Sequence, residues 1–403
     1  MRSIILLLFV LFMSSCTEID SPLDVIMQSD KKEIKAITAS LSKHAVQIRY
    51  TQIERDSSNR PHFKSYDFGV NEARYFYPAS TAKLPVAALA LQRIRELQRQ
   101  GVPIDMETRF RVIDPKNGRI IIEQDSTHPT NEVTVAHLIK KIFLVSDNDA
   151  YNYLFDFLGR DYINQELEKK GFTDIQIHHK FLFGADNVNS WEYEFFKGEK
   201  RVYYQKSQKS KYAKSNADLE GVFKGEGYLD NGELKNSPMD FSHKNRVSIY
   251  SLEGLLKRLV LPEVFPESHQ FGLQKDDYTF LRYWMSRTTL ESTSPRYTEA
   301  EGYYDSYVKF LIYGDQPGKM NPTIRVFNKV GDAYGTLTDT AYVVEHELNI
   351  EFSLTATVFV NANEIFNDNN YEYDELGFPF LGALGRQILQ WEQKRKQAHR
   401  PAL

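Results

Sequence analysis

Cysteine is almost absent from this chain, since Cys16 is the only one among 403 residues. An intramolecular disulfide is therefore excluded, and stability in an oxidising compartment has to come from packing. The sequence also carries little net charge, −4 at pH 7 with neutral histidines. This balance does not favour nucleic-acid binding or adsorption of the whole protein to a membrane surface. With 41% apolar and 13% aromatic residues, the composition is that of a globular protein.

Long apolar runs are also missing, apart from a short one near the N-terminus, residues 4–13. This run is too short to span a membrane, and it lies between an arginine and two serines. We predict that residues 1–16 are a secretory signal. Cys16 stands where bacterial lipoprotein signals place the cysteine that becomes lipidated, so the stretch resembles a lipobox; an ordinary signal peptide with an incidental cysteine is the alternative. The resemblance implies an exported protein, anchored by lipid in the periplasm or cell envelope, with residues 17–30 as a polar tether.

Helix and strand patterns divide the rest of the chain into three parts. Alternating β-branched and aromatic residues predict strands near both ends of the chain, and apolar residues three or four apart predict helices between them. This order indicates an α+β fold in a single domain, residues 31–395. Its antiparallel sheet is built from N- and C-terminal segments, and an all-helical lobe is inserted at about residues 81–260. The predicted helices cover residues 31–44, 81–100, 134–143, 149–159, 161–170, 247–261, 277–285 and 381–396, and the predicted strands cover residues 45–52, 63–77, 324–329, 335–344 and 352–360.

A basic insertion is predicted at about residues 195–240. Residues 197–216 contain seven lysines and arginines and only one acidic residue. Such a run is typical of a solvated, mobile loop. A surface that binds an anionic polymer or a lipid head group is the alternative.

The segment Ser80-Thr81-Ala82-Lys83 places a lysine one helical turn after a serine. A serine hydroxyl needs a base within hydrogen-bond distance to attack a carbonyl at neutral pH. Burial would lower the pKa of Lys83 toward the range of a useful base, and the apolar residues that follow it favour burial. The same spacing occurs at Ser40 and Lys43, where the lysine would be solvated. A serine that only caps a buried helix is the alternative for Ser80.

Two further segments could join this serine in one site. The Ser-Asp-Asn sequence at residues 146–148 connects two predicted helices, where it can present a hydroxyl and a carboxamide to a cavity or simply cap a helix. The Lys-Val-Gly sequence at residues 329–331 lies on a predicted strand, where a glycine lets a substrate approach the backbone.

In this order, residues 80–83, 146–148 and 329–331 resemble the three motifs of the penicillin-recognising serine hydrolases, and in particular the class A β-lactamases. The resemblance covers about residues 31–395 and implies a β-lactamase-like fold. It also implies an acyl-enzyme intermediate and a small-molecule substrate, either a β-lactam or a cell-wall peptide, with no cofactor and no metal. A penicillin-binding-protein-like D,D-peptidase and a catalytically weak cell-wall-binding lipoprotein are the alternatives.

The resemblance also implies a division of roles. Ser80 would attack a carbonyl, Lys83 would take or relay its proton, and Ser146 would pass a proton to the leaving nitrogen. Asn148 would bind the substrate's amide, and Lys329 would offer positive charge to a carboxylate. The remaining implied positions are Gly331, which would contact the substrate, and the oxyanion hole formed by the backbone N–H groups of Ser80 and Asp332.

Three features depart from the family pattern. The Glu-x-x-Leu-Asn stretch that carries the family's deacylating glutamate is absent between residues 152 and 238, and Asp186 is the nearest acid that could replace it. Val330 replaces a hydroxyl-bearing residue, and Asp332 adds a negative charge after the glycine. Metal binding is not indicated, because the histidines between residues 128 and 179 lack the spacing of a metal site. We predict structural roles for these four residues: His128, His137, His178 and His179.

Overall fold

The computed structural model of the protein describes residues 21–395, so the predicted signal and Cys16 lie outside the described residues. Within residues 21–395, no helix is long and apolar enough to cross a membrane. The helices are α1 (Pro22–Met27), α2 (Lys32–Thr38), α3 (Leu41–His44), α4 (Lys83–Arg99), α5 (Val135–Val145), α6 (Asn148–Leu158), α7 (Arg160–Lys169), α8 (Ile249–Val260), α9 (Lys275–Ser286), α10 (Phe310–Tyr313) and α11 (Phe378–Lys394). Single 3-10 or π turns lie at Ala79–Ala82, Pro262–Val264, Glu267–His269, Glu299–Glu301 and Tyr373–Gly377.

Both ends of the chain contribute to one five-stranded antiparallel sheet. The strands are β1 (Gln47–Arg55), β2 (Pro61–Phe68), β3 (Phe110–Ile113), β4 (Ile120–Ile122), β5 (Glu192–Lys197), β6 (Lys200–Gln205), β7 (Phe223–Lys224), β8 (Gly227–Asp230), β9 (Glu233–Lys235), β10 (Met239–Asp240), β11 (Ile324–Ala333), β12 (Thr336–Glu345), β13 (Ile350–Phe359) and β14 (Ile365–Phe366). The large sheet has the order β11-β12-β13-β1-β2, and Gln47 of β1 lies opposite Thr357 of β13. The predicted α+β architecture, with an antiparallel sheet built from both ends of the chain, is confirmed.

The inserted lobe differs from the prediction in one respect, because it also contains strands. A four-stranded sheet with the order β4-β3-β5-β6 lies among its helices. Tyr193 and Phe195 of β5 are fully buried in the lobe's apolar core. The prediction of a solvated, mobile loop over residues 197–216 is therefore wrong for residues 197–205, which belong to the hairpin of β5 and β6. The seven basic side chains of residues 197–214 are all exposed, because the hairpin and the segment after it turn them toward solvent.

Two apolar cores flank the sheet and hold the site between them. One core is centred on α4, which packs against α5, α6 and α8, and α8 lies against one face of the sheet. The other packs α10 and α11 against the opposite face. The central strands β12 and β13 are buried on both faces, so the end of β11 meets the start of α4 in a fixed position.

The N-terminal boundary of the packed domain lies earlier than predicted. Residues 22–27 form α1, whose first turn is capped by the Ser21 hydroxyl, which accepts the Asp24 N–H at 3.2 Å. Leu23, Ile26 and Met27 are buried against the sheet core. The predicted tether at residues 17–30 is therefore wrong for its second half.

Candidate active site

Ser80 lies in a strained turn immediately before α4. The turn Ala79–Ala82 is a 3-10 helix, and Ala79 has a φ of 45°, a left-handed conformation that is uncommon for a residue with a Cβ. In the part of the chain that the structure describes, neither the Ser80 hydroxyl nor its backbone N–H makes a hydrogen bond. The first N–H groups of a helix have no partner within the helix, so this N–H is available to an oxyanion.

Lys83 is fully buried and contacts the Ser-Asp-Asn turn. Its Nζ donates to the backbone carbonyl of Ser146 and to Asn148 Oδ1, the latter at 2.6 Å, and lies 3.4 Å from Ser146 Oγ. Burial lowers the pKa of Lys83 well below its usual value, and the charge of Lys329 lowers it further. A neutral amine has two N–H groups, and the two carbonyl oxygens take both. The lone pair of the nitrogen then remains free to accept a proton from a hydroxyl group.

Ser146 connects the two lysines of the site. It ends α5 in the left-handed conformation, with a φ of 57°, which turns the chain sharply into α6. Its Oγ accepts a hydrogen bond from Lys329 Nζ at 2.8 Å and faces Lys83. Asp147 holds the turn, because its carboxylate accepts the Ala150 N–H at 2.7 Å. Capping and presentation of the hydroxyl are thus combined in residues 146–148.

Lys329 reaches the site from β11, the edge strand of the sheet. Its side chain is 2% exposed, and its Nζ also donates to the Val330 carbonyl at 2.9 Å. Burial lowers the pKa of Lys329 to about 7, while Asp332 and Asp339 oppose this shift. The ammonium is thus held beside Ser146 and Lys83 in a region with little water.

Gly331 lets β11 touch the Ser80 turn directly. A Cβ at this position would lie 2.5 Å from the Pro78 carbonyl oxygen and 2.7 Å from the Ser80 nitrogen. The glycine therefore admits the protein's own backbone, rather than the substrate approach that the sequence suggested. Val330 points away, into the core on the opposite face of the sheet. Asp332 is exposed beside Gly331, and the surrounding protein raises the pKa of its carboxyl.

Asp186, the candidate deacylation base, is not brought to this cluster. Its carboxylate accepts the Asn189 N–H at 2.9 Å and pairs with Lys116 at 3.1 Å. These bonds, working against partial burial, hold its pKa well below the usual range. The group beside Lys83 is instead the ring of Phe181, whose centroid lies 4.9 Å from Nζ.

Phe181 carries no strong signal in the sequence, because a search for an acid passes over an aromatic residue. Neighbouring contacts fix its position. Asn152 Oδ1 accepts the Phe181 N–H at 2.7 Å, and the adjacent Lys180 forms a buried ion pair with Asp156 at 2.8 Å. The spacing of Asn152 after the Ser-Asp-Asn turn, on the same helix, was the only available clue.

The four histidines make ordinary structural contacts. His137 Nε2 lies 2.8 Å from the Thr127 hydroxyl, and His178 Nε2 lies 2.9 Å from Gln176 Oε1. His179 Nδ1 contacts the Lys180 carbonyl, and His128 Nδ1 contacts the Thr130 hydroxyl. Within residues 21–395, no group of three or more His, Cys, Asp or Glu side chains is arranged to hold a metal ion.

Comparison with known proteins agrees with this geometry. Residues 30–219, which include the first two motifs, match the family model described as the beta-lactamase enzyme family. No protein of curated function matches the sequence.

Solved structures resemble this chain at low sequence identity. A mutant of PBP-A, determined as an acyl-enzyme complex with penicillin G, has 14% identity and a TM-score of 0.51 over 93% of this chain and 98% of that chain. The β-lactamase from Sphaerobacter thermophilus DSM 20745 has 13% identity and a TM-score of 0.47 over 94% of this chain and 99% of that chain. The β-lactamase from Streptomyces albus G has 15% identity and a TM-score of 0.46 over 89% of this chain and 99% of that chain. At these identities the likeness to PBP-A establishes the fold alone.

Proposed function

Since the chain resembles the β-lactamase-like serine hydrolases in both its family match and its fold, we propose that it forms an acyl-enzyme on Ser80. The substrates are β-lactams or related amides and esters. The observation that carries this proposal is the buried cluster of Lys83, Ser146 and Lys329 next to a serine whose hydroxyl and N–H are both unengaged.

In the proposed reaction, Ser80 Oγ attacks the carbonyl carbon while neutral Lys83 accepts the hydroxyl proton. The Ser80 N–H, with the Asp332 N–H as second donor, stabilises the oxyanion. As the C–N bond breaks, the leaving nitrogen takes a proton from Ser146, which recovers one from Lys83. Lys329 keeps Ser146 oriented and offers positive charge to a substrate carboxylate, and Asn148 binds the substrate amide.

Within this class, one contact favours slow release of the acyl group. Deacylation needs a base that activates water, and the group facing Lys83 is the Phe181 ring. The Asp186 carboxylate is occupied by Asn189 and Lys116. A penicillin-binding-protein-like enzyme with a persistent acyl-enzyme, acting as a D,D-peptidase, is therefore the second candidate function.

Labelling with a fluorescent penicillin tests both candidates. We expect covalent labelling of the purified protein and complete loss of labelling in Ser80→Ala. Ser40→Ala is the matched control, because Ser40 and Lys43 repeat the spacing on a surface helix, and it should label normally. A wild-type protein that takes no label would refute acyl transfer and leave a binding lipoprotein.

The lifetime of the label separates the two candidates. Persistence for hours indicates the penicillin-binding type, whereas loss within seconds, with hydrolysed product, indicates a β-lactamase. Asp186→Asn should leave this lifetime unchanged. A lifetime prolonged several-fold would restore Asp186 as the base.

For location, the proposal is export and lipid anchoring through Cys16, which rests on the sequence of residues 1–16. Cys16→Ser should move the protein from the membrane fraction to the soluble fraction. Unchanged fractionation would exclude the lipid anchor.

A further inference from the structure

A cavity of about 580 Å³ lies beside the catalytic cluster. Its wall includes Tyr77, which comes three residues before Ser80, and Tyr334, which comes two residues after Asp332. Phe181 lines it as well, and the same ring contacts Lys83. The cavity is therefore next to the position where an acyl group on Ser80 would lie.

One part of the cavity wall, formed by Tyr77, His179 and Tyr334, is aromatic. The rings of Tyr77 and Tyr334 lie 5.0 Å apart, and His179 stacks on the other side of Tyr77 at 6.1 Å. Burial lowers the pKa of His179 to about 4, so its ring is neutral at pH 7. Such walls suit an apolar chain.

Lys244 adds an unpaired cation to this apolar surface. It follows β10, is half-buried, and its Nζ lies 6.0 Å from the centre of the Tyr334 ring. Among the described residues, no acceptor or carboxylate lies within hydrogen-bond or ion-pair distance of this ammonium group.

The other charged groups of the wall have partners. The Asp240 carboxylate accepts the Ser242 N–H at 2.7 Å and also its hydroxyl, and Lys180 pairs with Asp156 at 2.8 Å. The charge of Asp240 acts on Lys244 from beyond ion-pair distance, so the ammonium group has no direct partner in this partly dry site. A carboxylate in contact with it would supply one.

The position of the leaving group decides which part of the substrate enters the cavity. In the proposed function, on which this inference rests, the leaving nitrogen takes its proton from Ser146. Phe181 contacts Lys83 separately from Ser146, and Phe181 also lines the cavity. The cavity therefore receives the acyl portion of the substrate. We propose that Lys244 determines specificity by selecting acyl donors whose acyl side chain is apolar and ends in a carboxylate.

Two matched thioester donors test this inference. They have the same leaving group and differ only in the acyl side chain, N-glutaryl in one and N-pentanoyl in the other, so that only one ends in a carboxylate. We expect the wild-type protein to be acylated roughly tenfold faster by the glutaryl donor than by the pentanoyl donor. The free energy of one hydrogen bond between charged groups corresponds to about this factor in rate. High salt should reduce the ratio.

Variants locate the effect. Lys244→Gln should bring the ratio of the two rates close to one, and Lys244→Arg should retain most of the preference. Lys211→Gln, which removes an exposed lysine of the basic insertion, is the control and should keep the wild-type ratio. Because each ratio is measured within one protein, a partly unfolded sample does not change it.

The outcomes also separate this inference from the proposed function. A wild-type protein acylated equally by both donors, or a Lys244→Gln variant that keeps the full ratio, would refute the role of Lys244 while acyl transfer stands. A protein that is acylated by neither donor and takes no penicillin label would refute the proposed function itself.

Discussion

At the scale of single residues, the two buried lysines of the site need opposite charge states. Lys83 has to be neutral to accept a proton, whereas Lys329 has to be charged to attract a substrate carboxylate. Burial lowers the pKa of both, and the charge of Lys329 lowers the pKa of Lys83 further. Lys83 is also held by two carbonyl oxygens, which suit a neutral amine as well as an ammonium group.

The rate of acylation should therefore follow a bell-shaped pH profile. On the acid limb the rate rises as Lys83 loses its proton, and the pKa of Lys83 lies well below its usual value of 10.5. On the alkaline limb the rate falls as Lys329 becomes neutral, with a pKa of about 7. Single-turnover labelling between pH 5 and 10 measures both limbs. Lys329→Arg, whose side chain stays charged, should move the alkaline limb upward. An alkaline limb that stays in place would exclude Lys329 as its source.

Acylation should require a glycine at residue 331, because any side chain there would collide with the backbone of the Ser80 turn. The alanine Cβ would lie within 3 Å of backbone atoms of the Ser80 turn, which cannot move aside cheaply. We expect Gly331→Ala to slow acylation of the order of 100-fold through displacement of Ser80.

Gly272→Ala is the matched control for that change. Its Cβ would lie 3.3 Å from a side-chain atom of Gln92 rather than against backbone atoms, so acylation should stay within about twofold of wild type. Equal rates in wild type and Gly331→Ala would contradict the close approach of β11 to the Ser80 turn.

At the scale of elements, long periodic segments were predictable and short packed ones were not. The apolar run after Lys83 and the β-branched run from residue 324 agree with α4 and β11 within a few residues, because burial on a helix or strand face dictates their pattern. Residues 22–27 were missed because one helical turn and a half carries too few apolar positions to show a period. The β5–β6 hairpin was missed because burial does not alternate along either strand and exposed basic residues lie around its turn.

The same limit on prediction applies to the residues of the candidate active site. Lys83, Ser146 and Lys329 lie together as the motif resemblance implied, since each lies in or directly after a long helix or strand. Phe181 lies in an irregular segment, where contacts from distant residues decide the backbone, and no local pattern records them.

The packing of α1 can be tested within that helix. Ile26 is 4% exposed and Val25 is 44% exposed, so the two adjacent residues differ in burial. Ile26→Ala should lower the free energy of unfolding by about 2 to 5 kcal/mol, and Val25→Ala by less than about 0.5 kcal/mol. Denaturant unfolding of the two variants measures this difference. Equal, small effects would restore a tether over residues 17–30.

At the scale of the whole molecule, the site lies where the two cores meet. Ser80 and Lys83 belong to the start of α4, Ser146 to the inserted lobe, and Lys329 to the sheet. Because the cores hold these elements from opposite sides, relative movement of lobe and sheet would separate Ser146 from Lys329. Rigidity between the two parts is thus a condition for catalysis, and mutations in either core far from Ser80 can affect the rate.

The pairing of β1 with β13 also sets the time at which activity arises during biosynthesis. A ribosome releases Gln47 long before Thr357, so the central ladder of the sheet stays open until nearly all of the chain has been made. Contacts between such distant segments form slowly, because a long loop has to close first. An unfinished chain thus carries its nucleophile without the Lys329 strand, and a premature stop before β11 yields an inert product.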